Sequence, residues 1–200
     1  MAINLANNNS LANITALPAS ITGGAMTLLA TQTASSSANL SFTSGIDSTY
    51  DEYVFKYYNI HPATDNADFE FNMTIDGTNW NVTKTTTTFY SYHMEDNSGA
   101  GLTYEAAYDL AQGTGFQYLA ADIGNGNDES ASGSMVLYNP SSTTFVKHFL
   151  HSGNRYVGSN ISANDFVAGY GNTTSSVTGI QFKMSSGNID SGVIKLYGIS

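Results

Sequence analysis

The chain has 200 residues, enough for one domain that buries about 70% of the surface its unfolded form exposes. Sixteen Asp and Glu residues against six Lys and Arg residues give a formal net charge of −10, which disfavours nucleic acid and anionic membrane surfaces as partners. The lack of cysteine excludes disulfides and thiolate metal sites.

The first 24 residues are predicted to form an N-terminal arm ahead of a β-domain that covers residues 25–200. The arm has no charged side chain and no amphipathic period, yet it is too apolar for a solvated linker. We expect it to pack against a sister molecule or, equally, against its own domain, through Ile3, Leu5, Leu11, Ile14, Leu17 and Ile21. It lacks the pattern of an export signal, and no stretch approaches the ~20 apolar residues of a membrane helix. The sequence thus predicts a soluble protein made in a cytoplasm.

After the arm, the chain alternates strand-like segments with turn clusters. Strands are predicted at 26–29, 40–42, 53–58, 68–75, 85–92, 116–121, 133–138, 143–150, 164–170, 177–184 and 193–199. The clearest is 68–75, whose alternate residues are apolar: Phe69, Phe71, Met73 and Ile75. The residues between them are expected on a solvated face: Asp68, Glu70, Asn72 and Thr74.

The number and spacing of these strands define the fold class. Ten or eleven short strands without heptads or β–α alternation predict an all-β, antiparallel β-sandwich or barrel. The segment 103–112 differs, because apolar residues at i, i+3, i+4 and i+7 from Tyr104 predict a short helix. The last strand, 193–199, is expected to pair inside a sheet, since a free terminal segment would fray.

Few side chains are grouped in a way that indicates catalysis. His148 and His151 are three residues apart on a predicted strand, so they point to opposite faces and cannot share a metal ion. Asp68 and Glu70 share a strand face and could be the acid and base of a glycan-cleaving protein. The same alternation places both carboxylates in solvent, so we predict no catalytic residue, no cofactor and no bound metal.

The loop at 124–129 has two interpretations. Its side chains offer the oxygen ligands that Ca²⁺ prefers: Asn125, Asn127, Asp128 and Glu129. Asx and Gly clusters are equally what a surface turn requires, and we favour the turn.

The aromatic content indicates assembly. Thirteen Tyr and ten Phe residues exceed what a small core needs, and Tyr is favoured where one end of a side chain is buried and the other wet. Tyr90 and Tyr92 share a predicted strand face with Thr86 and Thr88, and we expect this face to contact a neighbouring subunit. The alternative is cross-strand pairing on an exposed sheet.

Five stretches in fixed order carry a resemblance to a known group of proteins. They are FTSGIDSTYDEYVF at 42–55, NIHPATD at 59–65, NPSSTTFVKHF at 139–149, GYGNTT at 169–174 and SSGNIDSGVIKLYGI at 185–199. Over residues 22–199 the chain resembles small virion structural proteins of marine tailed bacteriophages. The resemblance implies a jelly-roll-like sandwich, commonly trimeric, that decorates a capsid or forms part of a tail fibre. It implies no catalytic residue, since the motifs are turns and strands.

Residues and resemblance together predict a non-enzymatic virion structural protein, made in the host cytoplasm, with capsid decoration as the preferred role. The expected partners are copies of the chain, as a homotrimer, and other virion proteins such as major capsid or tail proteins. The alternative is a tail-fibre or receptor-binding module that contacts host glycans. That function would show aromatic rings beside exposed Asp or Asn side chains.

Overall fold

The structure, a computed structural model, describes residues 26–199. Strands make up 61% of these residues and none of them lies in an α-helix, which confirms the all-β prediction. The predicted arm, with Ile3, Leu5, Leu11, Ile14, Leu17 and Ile21, lies outside the described residues. The described part of the chain has thirteen strands: β1 (Thr27–Ser37), β2 (Leu40–Phe42), β3 (Glu52–Pro62), β4 (Ala67–Thr74), β5 (Lys84–Met94), β6 (Ala100–Tyr104), β7 (Ala111–Gly113), β8 (Gln117–Ile123), β9 (Ala131–Tyr138), β10 (Lys147–Val157), β11 (Ile161–Gly171), β12 (Gly179–Met184) and β13 (Ile189–Ile199).

All strand pairs are antiparallel, and the sheet curls until it is nearly closed into a barrel. Its main path runs β1-β13-β3-β9-β10-β8-β4-β12-β2. A branch leaves β10 through β11 to β5, which also pairs with β6 and β7. The two ends of the main path meet where the Gln32 side-chain amide of β1 donates to the Ser41 carbonyl of β2.

The curl brings aromatic side chains from opposite walls into one core. Phe71 of β4 meets Phe149 of β10 with 4.9 Å between ring centroids, and Tyr57 of β3 meets Phe69 of β4 at 5.1 Å. Phe182 of β12 stacks on Phe69 at 5.5 Å. Such ring pairs add stability beyond the apolar area that they bury.

Strand β4 is buried on both sides, so the prediction of a solvated face was wrong. Glu70 is 7% exposed, and Asn72 and Thr74 are fully buried. The side of β4 that faces away from the aromatic core is covered by the following segment. There the Asn72 side chain donates to the Trp80 carbonyl at 2.6 Å and accepts from Lys84 Nζ at 2.5 Å. Polar residues can alternate with apolar ones and still be buried when each finds a partner.

The predicted helix at 103–112 is also wrong. Strand β6 ends at Tyr104, a 3₁₀ turn covers Ala106–Tyr108, and β7 follows. Both short strands pair with one edge of β5. A ten-residue helix is marginal by itself, whereas an open strand edge offers backbone partners at once.

The last strand, β13, is central in its part of the sheet. It pairs with β1 along one edge and with β3 along the other. The predicted strand at 193–199 is therefore confirmed, and it starts earlier, at Ile189.

Candidate functional site

One face of strands β5, β9, β10 and β11 points away from the aromatic core and carries apolar side chains. In β10, Phe149 and His151 are buried whereas Leu150 between them is 51% exposed. Leu150 lies opposite Val136 of β9 and Ala168 of β11, so these side chains share its face. We call the surface formed by Phe89, Val136, Tyr138, Leu150, Phe166 and Ala168 the outer face.

A groove of about 390 Å³ lies on the outer face. Phe89 and Phe166 stack in its wall with 4.9 Å between ring centroids and 13° between ring planes. Phe89 nevertheless remains 39% exposed. Contiguous apolar surface of this kind marks association sites on soluble proteins. The outer face is therefore a candidate interaction surface.

Two lysines without a carboxylate partner among residues 26–199 lie beside this groove. Three of the six basic residues are buried, and a fourth, Lys183, pairs with Glu70 at 3.3 Å. The other two, Lys56 of β3 and Lys195 of β13, lie directly opposite each other. Like charges in that position repel, so an acidic partner over the pair would be favourable.

The strand register places this lysine pair on the outer side of the sheet. Lys56 lies opposite Ser134 of β9, and Ser134 lies opposite Ser152 of β10. Ser152 in turn lies opposite Phe166 of the outer face. Residues opposite each other across antiparallel strands point to the same side, so lysines and groove share one surface.

The other face of β5 lines a cavity of about 470 Å³, which we call the Arg155 cavity. Tyr90, Tyr92, Asp122 and Arg155 contribute to its wall. The two tyrosine rings are half buried, with 6.0 Å between centroids and 43° between planes. The predicted pair Tyr90 and Tyr92 thus lines a cavity of its own subunit. Its contact with a neighbouring subunit stays a prediction.

Arg155 is the single arginine of the chain and is only 3% exposed. Its Nε donates to Asp165 Oδ2 at 2.8 Å, and its guanidinium carbon lies 5.4 Å from the centre of the Tyr90 ring. Burial raises the pKa of Asp165 to about 6, although the neighbouring guanidinium opposes the shift. The hydrogen bonds among residues 26–199 use neither terminal nitrogen of Arg155. Those N–H donors remain for a ligand or water.

Sequence reasoning missed Arg155 and Asp165, although a signal was present. Residues 147, 149, 151, 153 and 155 alternate along one predicted strand and its continuation, and this series includes Phe149. The period of two places Arg155 on the same inward side as Phe149. A lone arginine on an inward face needs a buried partner, and that partner had to be an acid from another strand.

The candidate acid pair at Asp68 and Glu70 holds strands together. Asp68 Oδ1 accepts from the Asp122 N–H of β8 at 2.8 Å, and Glu70 pairs with Lys183 of β12. Burial raises the pKa of both carboxyl groups. Because Glu70 is 7% exposed, a polymeric substrate has little access to it.

The loop at 124–129 is held by one of its own side chains and by one from β3. Glu129 Oε2 accepts from the Gly126 N–H at 2.6 Å, and a ring nitrogen of His61 bonds the Gly126 carbonyl at 3.0 Å. Among residues 26–199 no three His, Asp or Glu side chains are grouped to hold a metal ion. These contacts fit the turn interpretation.

A buried tyrosine–histidine pair lies in the core. Tyr57 Oη and His151 Nε2 are 2.8 Å apart and hydrogen bonded. Burial lowers the pKa of His151 to about 3, so the ring is neutral at ordinary pH. A Cβ atom at Gly133 or Gly153 would collide with the Tyr57 hydroxyl, so these two glycines make room for the pair. His148 lies on the opposite, exposed side of β10, as the spacing predicted.

Comparison with known proteins adds no assignment. Neither a family model, nor a curated protein, nor a solved structure matches the chain. Along residues 26–199 no helix is long and apolar enough to cross a bilayer.

Proposed function

We propose that this chain is a non-enzymatic structural protein of a bacteriophage virion and that its first role is capsid decoration. The outer face is the observation that carries this proposal, because it is apolar, grooved and bordered by Lys56 and Lys195. The resemblance to small phage virion proteins supports the same role. In this proposal the protein is made in the host cytoplasm, adopts a variant of the jelly-roll-like sandwich, and joins major capsid or tail proteins in the particle.

The proposed occupant of the outer face is a second copy of the chain, within a closed homotrimer. Sixteen acidic residues against six basic ones give the chain a net charge of −10. A groove bordered by Lys56 and Lys195 is complementary to an acidic surface and not to another lysine pair. Contact between two unlike surfaces is heterologous, and heterologous contacts can close into rings such as trimers.

Substitution of Leu150 tests the assembly. We expect the purified full chain to sediment as a trimer and Leu150→Asp to sediment as a monomer, because the contact would bury a carboxylate against the acidic surface of the neighbouring copy. The subunit itself should stay folded, as far-UV circular dichroism would show, since Leu150 is 51% exposed in the single chain. Phe145→Asp is the matched control, because Phe145 is 68% exposed outside the outer face. A monomeric wild type, or a trimeric Leu150→Asp variant, would refute the proposed contact.

Antibody labelling of intact particles tests the role in the virion. We expect label on the head shell of particles that carry this chain. Label on the tail would favour the tail-fibre alternative over decoration. Purified particles without the chain would reject both.

A further inference from the structure

We propose that the Arg155 cavity is a binding site for an uncharged sugar. This proposal is independent of the assembly proposal, because the cavity lies on the opposite face of β5 from the outer face. At about 470 Å³ it has the size of small-molecule sites, which span roughly 300–1,000 Å³.

The cavity presents both a hydrogen-bond donor and an acceptor. The two terminal nitrogens of Arg155 have no partner among residues 26–199, and burial of the side chain holds the guanidinium in place. Asp122 accepts from the Tyr108 hydroxyl at 3.3 Å through Oδ2, which leaves Oδ1 for a ligand hydroxyl. A group of adjacent sugar hydroxyls can donate to the carboxylate and accept from the guanidinium at once.

The tyrosine pair supplies apolar surface beside these polar groups. The Tyr92 ring lies over Gly101 of β6, where a Cβ would be only 2.9 Å from Cε1. The Tyr90 ring packs against the guanidinium of Arg155. Aromatic rings with a polar tip suit ligands that have both C–H faces and hydroxyl edges. The pair is thus positioned to contact the C–H face of a sugar ring.

Charge selects an uncharged ligand over an acidic one. The cavity region holds one cation, Arg155, against the carboxylates of Asp122 and Asp165. An acidic sugar would add a third negative charge, within a chain whose net charge is −10. A cationic ligand would face the guanidinium of Arg155 in a confined space. An uncharged ring avoids both repulsions and still uses every polar group.

The rim has room for more than one ring. A neighbouring cavity of about 290 Å³ shares Met94 and Ser159 with the Arg155 cavity. Both open beside the β5–β6 and β10–β11 turns, whose residues Glu95, Asp96 and Asn160 are exposed. The site therefore fits the end of an oligosaccharide.

Saturation-transfer NMR on the full chain tests the proposal. The probes are lactose, mannose and N-acetylglucosamine as uncharged sugars, and sialyllactose and glucuronic acid as acidic ones. We expect saturable binding of at least one uncharged probe and weaker binding of the acidic probes. No binding of an uncharged probe, or preference for an acidic one, overturns the proposal.

Variants place the binding in the cavity. Tyr92→Ala and Asp122→Asn should each weaken binding about tenfold or more, the loss expected for one contact to a charged group or one ring face. Asn suits position 122, where φ is +49°, so the fold should survive. Tyr197→Ala, at a half-buried tyrosine on the outer side of β13, is the matched control and should bind as the wild type does. Unchanged binding by folded Tyr92→Ala and Asp122→Asn would refute the site.

Discussion

The interior between β3, β4, β10 and β12 is filled with aromatic rings, whereas the interior between β5, β8 and β10 holds buried polar groups. In the first region Phe69 and Phe182 are fully buried against each other. In the second, Thr86 Oγ1 donates to Gln117 Oε1 at 2.7 Å, and Arg155 pairs with Asp165. The stability gained from aromatic packing depends on the area and volume that the rings bury. The stability of a buried polar group depends on whether its one particular partner is present. Substitutions in the two regions should therefore lower the free energy of unfolding for different reasons.

The largest expected effect is the loss of an aromatic ring from the first region. Phe182→Ala should lower the free energy of unfolding by about 3–5 kcal/mol, because the ring is fully buried and leaves a cavity. Phe145→Ala is the control, since Phe145 is 68% exposed, and should change it by about 0.5 kcal/mol or less. Urea denaturation measures both. Equal decreases in the free energy of unfolding of the two variants would show that burial of the ring does not determine the size of the effect.

In the polar region, replacing one member of the Arg155–Asp165 ion pair should destabilise the fold more than replacing both members. Arg155→Met leaves the Asp165 carboxylate buried without a counter-charge and should lower the free energy of unfolding by about 3 kcal/mol. The double variant Arg155→Met, Asp165→Leu should recover much of that loss. Urea denaturation at pH 8 measures both variants; in the wild type Asp165 is charged at that pH, since its pKa is about 6. A double variant no more stable than Arg155→Met would show that the unpaired Asp165 carboxyl group does not cause the destabilisation.

A smaller expected effect is that buried His151 makes the free energy of unfolding depend on pH. The folded-state pKa of His151, about 3, lies below its ordinary value of 6.5, so between these pH values the unfolded chain binds a proton that the folded chain does not. The contribution of the neutral His151 ring to the free energy of unfolding is complete above pH 6.5 and decreases as the pH falls toward 3. Relative to His151→Gln, the wild type should lose up to about 1.4 kcal/mol per pH unit in this window.

Denaturation of wild type and variant from pH 7 to pH 4 measures that difference, in which other titrating groups largely cancel. His148→Gln is the matched control, because His148 lies on the exposed side of the same strand. It should follow the wild-type slope. A wild type and His151→Gln variant with parallel pH profiles would contradict the assignment.

The candidate sites were only partly visible in the sequence. Tyr90 and Tyr92 were singled out for their shared strand face, and they do point to one side. Their neighbours in the Arg155 cavity come from β8 and β10, and the strand pairing that brings these together spans tens of residues. The outer face was missed because Leu150 and Phe166 look like ordinary core residues until the register shows which side they occupy.

Local pattern was sufficient for most of the strands, although it missed β6 and β7. Alternating side chains and turn clusters determined the all-β class, most strand positions and the inclusion of β13 in the sheet, because a period of two is a property of neighbouring residues. Only the tertiary structure decided which faces are covered. Strand β4 buries its polar face under Trp80 and Lys84, while β10 leaves Leu150 exposed, and neither outcome follows from alternation. Burial depends on what the rest of the chain places over a strand, and that is set by long-range pairing and the curl of the sheet.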